Sequence, residues 1–157
     1  MTPKGKKEFK ASSSSINAKY GLLSTQWNKF VVDVMLESAE KELISQGVKP
    51  NNIVKIEVPG AYELPLAAKR MLENDIDAVI ALGAVIKGET PHFDFVSSSC
   101  ANGLTRVSLD ANKPVLFGVL TTETEEQAIQ RADPNEGNKG AEVAQSAMEL
   151  LEQLASL

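Results

Sequence analysis

The only histidine of this 157-residue chain, His92, stands where it could do acid–base chemistry. It follows the apolar run Ala78–Ile86 and a Gly-Glu-Thr-Pro turn, and Asp94 lies two residues further on. The positive end of a helix dipole favours a neutral imidazole, and a neutral imidazole near pH 7 is what a proton shuttle requires. A solvated histidine that merely opens a helix explains the same sequence, and the residues alone leave both readings open.

The turn before His92 has the composition of an anion-binding site. Gly88 lets a ligand approach the backbone closely, and Thr90 adds a hydroxyl to amides aimed outward from a helix start. With Glu89 between them, this is a weakly specific three-residue pattern. Thr90 as the helix N-cap, with Pro91 at the first helical position, explains these residues equally well and is compatible with anion binding.

Three further side chains could contact an organic ligand. Glu63 could accept hydrogen bonds from a polyhydroxy chain, or could simply favour the first turn of a helix. Trp27, the only tryptophan, could stack on a planar heterocycle, and so could Phe117. Phe117 lies in the middle of a predicted strand, where an ordinary core residue is the default.

Two cations in the last third of the chain could bind an anion. Arg131 ends a helical pattern, where a positive charge is expected in any case. Lys139 falls in the first turn of the last helix, with Asn138 predicted as its N-cap, and a positive charge is unfavourable there. This placement indicates a nearby anion, such as a phosphate shared with Arg131, although a lysine that reaches solvent explains it as well.

Four β-rich runs must position these residues, and helical patterns fill the gaps. The runs are Tyr20–Thr25, Ile53–Val58, Ala78–Ile86 and Pro114–Thr121. The last two are nearly continuous apolar runs, which predicts strands buried on both faces. Helical periodicity occurs around Val31–Leu43, Glu63–Glu73, Phe93–Val107, Glu125–Ala132 and Ala141–Leu154. The alternation predicts a doubly wound, four-stranded parallel sheet flanked by helices, a three-layer α/β fold.

One edge of such a sheet collects the candidate residues. Ligands bind beyond the carboxyl ends of the strands in this kind of fold. The segments that leave those ends are Gln26–Asn28, Pro59–Glu63, Lys87–His92 and Thr122–Gln127. They hold the only tryptophan, the only histidine and a glutamate at a helix start. We therefore expect the functional site at this edge.

Composition limits the class of protein and its partners. Residues 16–157 are expected to form one domain, and residues 1–15, rich in lysine and serine, a mobile tail or an extended arm. A net charge of -5 argues against a nucleic-acid partner, and no apolar run is long enough for a membrane span. The single Cys100 excludes an internal disulfide and suits the reducing cytoplasm.

Sequence signatures of nucleotide cofactors, metals and covalent nucleophiles are missing. No G-x-G-x-x-G follows the first strand, and no G-x-x-x-x-G-K-[ST] occurs. One histidine and one cysteine cannot form a zinc cage alone, and no G-x-S-x-G elbow exists. We expect a site that works without a cofactor or a metal.

Four segments, in order on this predicted topology, resemble the lumazine synthase family. They are VPGAYELPLAAKRM (58–71), GAVIKGETPHFDFV (83–96), FGVLTTETEEQAIQRA (117–132) and GNKGAEVAQSAMELL (137–151). The resemblance implies a flavodoxin-like fold and the riboflavin-pathway enzyme that makes 6,7-dimethyl-8-ribityllumazine. Its substrates would be 5-amino-6-(D-ribitylamino)uracil and 3,4-dihydroxy-2-butanone 4-phosphate, with release of phosphate and water.

The resemblance also implies roles for individual residues. His92 would transfer protons, and phosphate would be bound by Gly88, Glu89, Thr90 and Arg131. Contacts with the ribitylaminouracil would come from Trp27, Asn28, Ala61, Tyr62, Glu63, Val85, Ile86, Lys87, Phe117 and Lys139. The family forms homopentamers, often assembled into icosahedral shells, with sites between subunits, so Phe117 and Lys139 would come from a neighbour. Riboflavin synthase is an implied partner.

Departures from the family pattern bear on ligand selectivity and assembly. Lys87 stands where arginine is commoner, Gln26 replaces the arginine before the aromatic position, and Trp27 replaces the usual phenylalanine. The segment 131–140 lacks the usual Gly-Thr-Lys, which affects the loop before Lys139. Two other functions stay open from the residues alone: a non-catalytic binder of flavin or lumazine, and a self-assembling scaffold.

Overall fold

The described residues, 8–157 of this computed structural model, form a sheet of four parallel strands. The strands are β1 (Tyr20–Thr25), β2 (Ile53–Val58), β3 (Ala78–Ile86) and β4 (Val115–Thr122), in the spatial order β2-β1-β3-β4. The predicted boundaries of β1, β2 and β3 are confirmed, and β4 is displaced by one residue. This strand order, with helices between the strands, confirms the flavodoxin-like α/β fold.

Helices α2 to α6 lie where the periodicity predicts them, and the short helix α1 is not predicted. Within residues 8–157 they are α1 (Ser13–Ile16), α2 (Lys29–Ser45), α3 (Leu64–Leu72), α4 (His92–Ala111), α5 (Glu125–Ala132) and α6 (Lys139–Ala155), with short 3₁₀ turns at Pro50–Asn52 and Ala61–Glu63. Gly47, at φ 108°, follows α2 in the left-handed conformation that favours glycine at a helix end. No helix in this part of the chain is long and apolar enough to cross a membrane.

Two apolar layers hold the sheet between the helices. On one face α2 and α6 contribute buried side chains such as Met35 and Met148. On the other face α3 and α4 contribute Leu64 and Cys100. Burial raises the pKa of the Cys100 thiol to about 11, so the thiol stays protonated at neutral pH. The site is therefore built at the end of a sheet that is covered on both faces.

The position of β4 differs from the buried strand that its apolar sequence predicts. In the described sheet β4 lies at an edge beside β3, and Phe117 and Thr121 on it are exposed. β1 has a less apolar sequence, yet it is central and buried along its whole length. The apolar content of a strand therefore does not indicate its place in the sheet order. Phe117 is thus not the ordinary core residue that a mid-strand position suggests.

The segment before β1 packs on the domain, whereas the sequence predicts a tail or arm up to residue 15. Phe9 packs against the layer formed by α2 and α6. The Ser15 hydroxyl donates to the Glu152 carboxylate of α6 (2.6 Å), and the Tyr20 hydroxyl donates to the Ser15 carbonyl (2.7 Å). Phe9 and Ser15, within the predicted tail or arm, therefore contact the domain. Residues 1–7 of the predicted tail lie outside the described residues.

Two helix starts differ from their predicted caps. α4 begins at His92 with Pro91 in the N-cap position, and the Thr90 hydroxyl accepts a long hydrogen bond (3.4 Å) from the His92 N–H. α6 begins at Lys139, and Asn138 precedes it, but the Asn138 side chain makes no cap hydrogen bond. The predicted N-cap position of Asn138 is confirmed, but its side chain does not cap the helix, because capping side chains reach the first-turn N–H groups from extended backbone and Asn138 is left-handed (φ 45°).

α6 approaches α2 closely at Gly140. A Cβ at this position would overlap the backbone carbonyl of Met35 on α2. Because the overlapping atom is helix backbone, relief requires movement of a whole helix rather than of a side chain. Gly140 thus sets the distance of α6, and of Lys139 beside it, from the rest of the domain.

Replacing Gly140 by alanine tests this contact. Alanine improves helix propensity by about 1 kcal/mol, but overpacking against backbone lies at the upper end of about 1–3 kcal/mol, so the free energy of unfolding should fall. Gly88→Ala is the matched control, because a Cβ there meets no atom within 4 Å. Urea denaturation followed by circular dichroism measures both. A Gly140→Ala midpoint at or above that of the wild type would contradict the contact.

Candidate active site

The carboxyl edge of the sheet brings together three loops with distinctive side chains. The loops after β1, β2 and β3 carry Trp27, Tyr62 and His92, and all three side chains are exposed. The loops share one edge because the strands are parallel. This edge therefore presents two aromatic rings and the only imidazole to solvent.

The Trp27 loop is held by backbone hydrogen bonds to the end of β2 and the loop after it. The Gln26 N–H donates to the Val58 carbonyl (2.9 Å), and the Trp27 N–H donates to the Pro59 carbonyl (3.2 Å). A Cβ on Gly60 would lie 3.8 Å from Cδ1 of the indole, so the ring passes beside Gly60. The indole is 71% exposed, which leaves surface for stacking on a planar ligand.

The 3₁₀ turn after β2 uses Glu63 to hold its own backbone. The Gly60 N–H donates to one carboxylate oxygen of Glu63 at 2.9 Å. Ala61 is buried beneath the turn, and Tyr62 is 64% exposed on it. One carboxylate oxygen of Glu63, which is predicted as a ligand contact, therefore accepts a hydrogen bond from the turn. The other oxygen has no hydrogen bond within residues 8–157.

The last residues of β3 run past the end of β1. The final pair between the two strands joins Ser24 to Leu82, so Val85 and Ile86 lie beyond β1. Neighbouring residues of a strand direct their backbone groups to opposite sides. Because the Lys87 N–H donates to a carbonyl of β4 (2.9 Å), the backbone of Ile86 faces the opposite side, towards the loop after β1.

The turn between β3 and α4 is open to solvent. Lys87 forms a loose ion pair (3.8 Å) with Glu123, which follows β4. A Cβ on Gly88 would meet no atom within 4 Å, and Glu89 and Thr90 are exposed. The backbone of this turn and the first N–H groups of α4 are therefore accessible to an anion.

His92 begins α4 with an exposed imidazole. The Asp94 N–H donates to the Pro91 carbonyl (3.0 Å) in the first turn, where an acidic side chain suits the helix dipole. In the part of the chain that the structure describes, the His92 imidazole and the Asp94 carboxylate share no hydrogen bond. Asp94 therefore does not orient the ring here, and the imidazole can turn towards a ligand.

A cavity of about 650 Å³ lies along the free edge of β4. Its wall includes Phe117 on β4, Arg131 at the end of α5 and Lys139 at the start of α6. Lys139 forms a 2.9 Å ion pair with Glu142, and both side chains are half-buried. The Arg131 guanidinium donates to the Gln127 carbonyl (3.3 Å). An anion beside Lys139, which the sequence predicts, is therefore supplied by the chain itself as Glu142.

The cavity and the Trp27 loop occupy separate regions of one chain. Strand register aligns Phe117 with Ala81 and Ala81 with Leu23, so Phe117 lies level with a residue four positions before Trp27. With strands about 4.8 Å apart and about 3.3 Å per residue, the two aromatic residues differ by roughly 10 Å across the sheet and roughly 13 Å along it. We call Trp27, Glu63, Ile86 and His92 the edge group, and Phe117, Arg131 and Lys139 the cavity group.

One family profile matches most of the chain. The profile of 6,7-dimethyl-8-ribityllumazine synthase covers residues 17–155. The chain belongs to the 6,7-dimethyl-8-ribityllumazine synthase family. The membership that the four sequence segments predict is thus confirmed, and both the edge group and the cavity group lie inside the matched span. The family is one of enzymes of riboflavin biosynthesis.

Sequence reasoning missed two contacts of this family member. Glu142 lies three residues after Lys139, and the i,i+3 spacing of opposite charges on a helix could have identified the pair. The Asn28 amide donates to the Ala84 carbonyl of β3 (2.8 Å). These two residues are 56 positions apart in the chain, so no local sequence pattern predicts that hydrogen bond.

Replacing Glu63 tests the turn after β2. Glu63→Ala removes the acceptor of the Gly60 N–H, so that amide should exchange faster, and stability should fall by about 0.5–2 kcal/mol, as for other lost capping bonds. Glu63→Gln is the control, because an amide oxygen accepts the same bond. Hydrogen–deuterium exchange of the peptide spanning the turn, read by mass spectrometry, measures the effect. Exchange in Glu63→Ala as slow as in the wild type would refute the role of the carboxylate.

Proposed function

We propose that this chain condenses 5-amino-6-(D-ribitylamino)uracil with 3,4-dihydroxy-2-butanone 4-phosphate, a transferase reaction that yields 6,7-dimethyl-8-ribityllumazine. The amine adds to the ketone and loses water to give an imine, phosphate leaves, and the ring closes with loss of a second water. The atoms balance without an oxidant, a reductant or a cofactor. The observation that carries the proposal is the edge group, assembled along one sheet edge in a member of this family.

The edge group supports binding of the pyrimidine substrate. The exposed indole of Trp27 can stack on the uracil ring. The backbone of Ile86, which faces the same loop, offers a donor and an acceptor to the amide groups of that ring. In this proposal the second oxygen of Glu63 and the backbone of Ala61 and Tyr62, on the turn after β2, bind the hydroxyls of the ribityl chain.

The open turn at the start of α4 supports binding of the phosphate. Gly88 leaves the backbone accessible, and Thr90 adds a hydroxyl beside the first N–H groups of the helix. The Arg131 guanidinium adds charge and bidentate geometry, which a phosphate favours over a single amine. In this proposal the phosphate is bound by the turn before α4 and by the Arg131 guanidinium.

His92 serves as the proton shuttle of the proposed reaction. Its imidazole stands at the start of α4 beside the phosphate turn, without a hydrogen bond to Asp94 in the described residues. Both substrates bring their own reacting groups, an amine and a ketone. Most of the acceleration should therefore come from holding the substrates together, and His92 should contribute a smaller factor.

We also propose that a neighbouring subunit completes each site. Trp27 of the edge group and Phe117 of the cavity group are separated within one chain, which supports a homo-oligomer in which the cavity group of one subunit meets the edge group of the next. Leu66, Phe95 and Leu109 on α3 and α4 are 70–75% exposed, which suits surfaces that contact another subunit. A homopentamer, its icosahedral assembly, riboflavin synthase as a partner and a cytoplasmic location belong to the same proposal.

The reaction predicts lumazine formation from the two substrates and purified protein alone. His92→Ala should slow turnover by about one to two powers of ten, at or below the usual contribution of a placed acid–base group. Arg131→Ala should lose more, because it fails to hold the phosphate. Product absorbance followed over time measures all three proteins.

Arg106→Ala is the matched control for the arginine change, because Arg106 is an exposed arginine on α4 paired with Asp110 (3.5 Å). It should keep the rate of the wild type. Tight binding of lumazine without turnover would instead favour a non-catalytic binder. If His92→Ala abolished lumazine formation while Arg131→Ala kept the rate of the wild type, the mechanism would be contradicted.

A shared site predicts complementation between two defective subunits. A Trp27→Ala/His92→Ala chain lacks the edge group, and an Arg131→Ala/Lys139→Ala chain lacks two residues of the cavity group. Co-expressed in equal amounts, they should form mixed oligomers in which about a quarter of the interfaces join two intact groups, as random pairing around a ring requires. The specific activity of the mixture measures this. Activity no greater than the mean of the two separate variants would place each site within one chain.

A further inference from the structure

Asn28, at the start of α2, uses its side chain to join two strand ends. Its backbone is left-handed (φ 58°, ψ 41°), and its Nδ2 donates to the Ala84 carbonyl at 2.8 Å. It makes no side-chain cap hydrogen bond to α2. The amide therefore serves β3 rather than its own helix.

The Ala84 carbonyl needs this donor because β1 ends too early. Alternate residues of β3 direct their backbone groups to alternate neighbours, and even-numbered residues face β1, as the bond from the Ala78 N–H to the Lys19 carbonyl shows. Pairing with β1 ends at Leu82, so the Ala84 carbonyl faces the same side beyond the last paired residue. The Asn28 amide takes the place of the strand N–H that β1 no longer supplies.

Trp27 lies between this bond and the contacts to β2. Its N–H donates to the Pro59 carbonyl (3.2 Å), and its own carbonyl accepts from the Thr25 hydroxyl (3.4 Å). Asn28 follows directly, so its bond to Ala84 anchors the loop on the side of β3. We propose that Asn28 is a positioning residue that fixes the Trp27 ring relative to the end of β3, an inference that rests on the proposed function and deepens it.

Asparagine combines the two properties that this position uses. Glycine adopts left-handed backbone more easily but has no donor. Aspartate also tolerates that backbone, but its carboxylate would face a carbonyl oxygen with nothing to donate. Removal of the amide leaves the Ala84 carbonyl without its partner and takes away the bond of the Trp27 loop to β3, while its bonds to the end of β2 and to Thr25 remain.

The chain's single tryptophan makes the test direct, because its fluorescence reports on Trp27 alone. Asn28→Gly keeps the backbone preference and removes the amide, and Asn28→Asp keeps the size and removes the donor. In both variants we expect faster anisotropy decay and stronger quenching by iodide without substrates. The KM for the ribitylaminouracil should rise about five- to tenfold, the equivalent of one hydrogen bond, with a smaller change in kcat.

Asn112→Gly is the matched control. Asn112 is also left-handed (φ 52°), but it follows the far end of α4 from His92. It should leave anisotropy, quenching and KM at the values of the wild type. Wild-type fluorescence in the Asn28 variants, or an equal change in Asn112→Gly, would overturn the positioning role. If Asn28→Gly fails to fold, Asn28→Asp gives the same comparison.

The two readouts separate this inference from the proposed reaction. Suppose that the protein forms no lumazine but the Asn28 variants show faster anisotropy decay and stronger quenching. The positioning role would then stand and the proposed reaction would be refuted. If the protein forms lumazine and the Asn28 variants keep the fluorescence and the KM of the wild type, the reaction would stand and the positioning role would be refuted.

Discussion

The unequal lengths of β1 and β3 are the constraint on which the candidate site depends. β1 stops at Thr25, while β3 continues to Ile86, four residues past its last pair with β1. The excess length exposes backbone that a sheet would normally cover, and the loop after β1 fills part of the gap. A β1 longer by two residues would cover this backbone and carry Trp27 away from it.

A second constraint comes from helix packing and acts on the cavity group. Lys139 begins α6, whose position is set by the close approach of Gly140 to α2. The ion pair with Glu142 keeps the lysine charge compensated where a helix dipole disfavours it. The edge group thus depends on strand lengths and the cavity group on helix contacts, so the two are positioned by different parts of the fold.

Much of the fold could be predicted from the sequence because its elements are locally encoded. The β-branched runs of β2 and β3 stand between helical patterns, and the predicted ends of both strands agree with the structure. The edge position of β4 could not be predicted in this way, since strand order follows from contacts among distant elements. Asn138 shows a different limit: its residue type suits a cap, but the backbone conformation that decides capping is not visible in the sequence.

The candidate site shows the same division between residue types and contacts. The sequence indicates that Trp27, Glu63 and His92 belong near one edge, because strand ends converge in a parallel sheet. It does not indicate that the Glu63 carboxylate holds Gly60 or that the Asn28 amide holds Ala84. Such bonds depend on distances between loops, and those distances are set only when the whole sheet has formed.

The bond between Ser15 and Glu152 links the two ends of the packed chain. The Ser15 carbonyl in turn accepts a hydrogen bond from the hydroxyl of Tyr20, the first residue of β1. Fraying of the last helix would therefore release the first helix as well, and the disturbance would reach the base of β1. The helices at the beginning and the end of the fold should open and close as one cooperative unit.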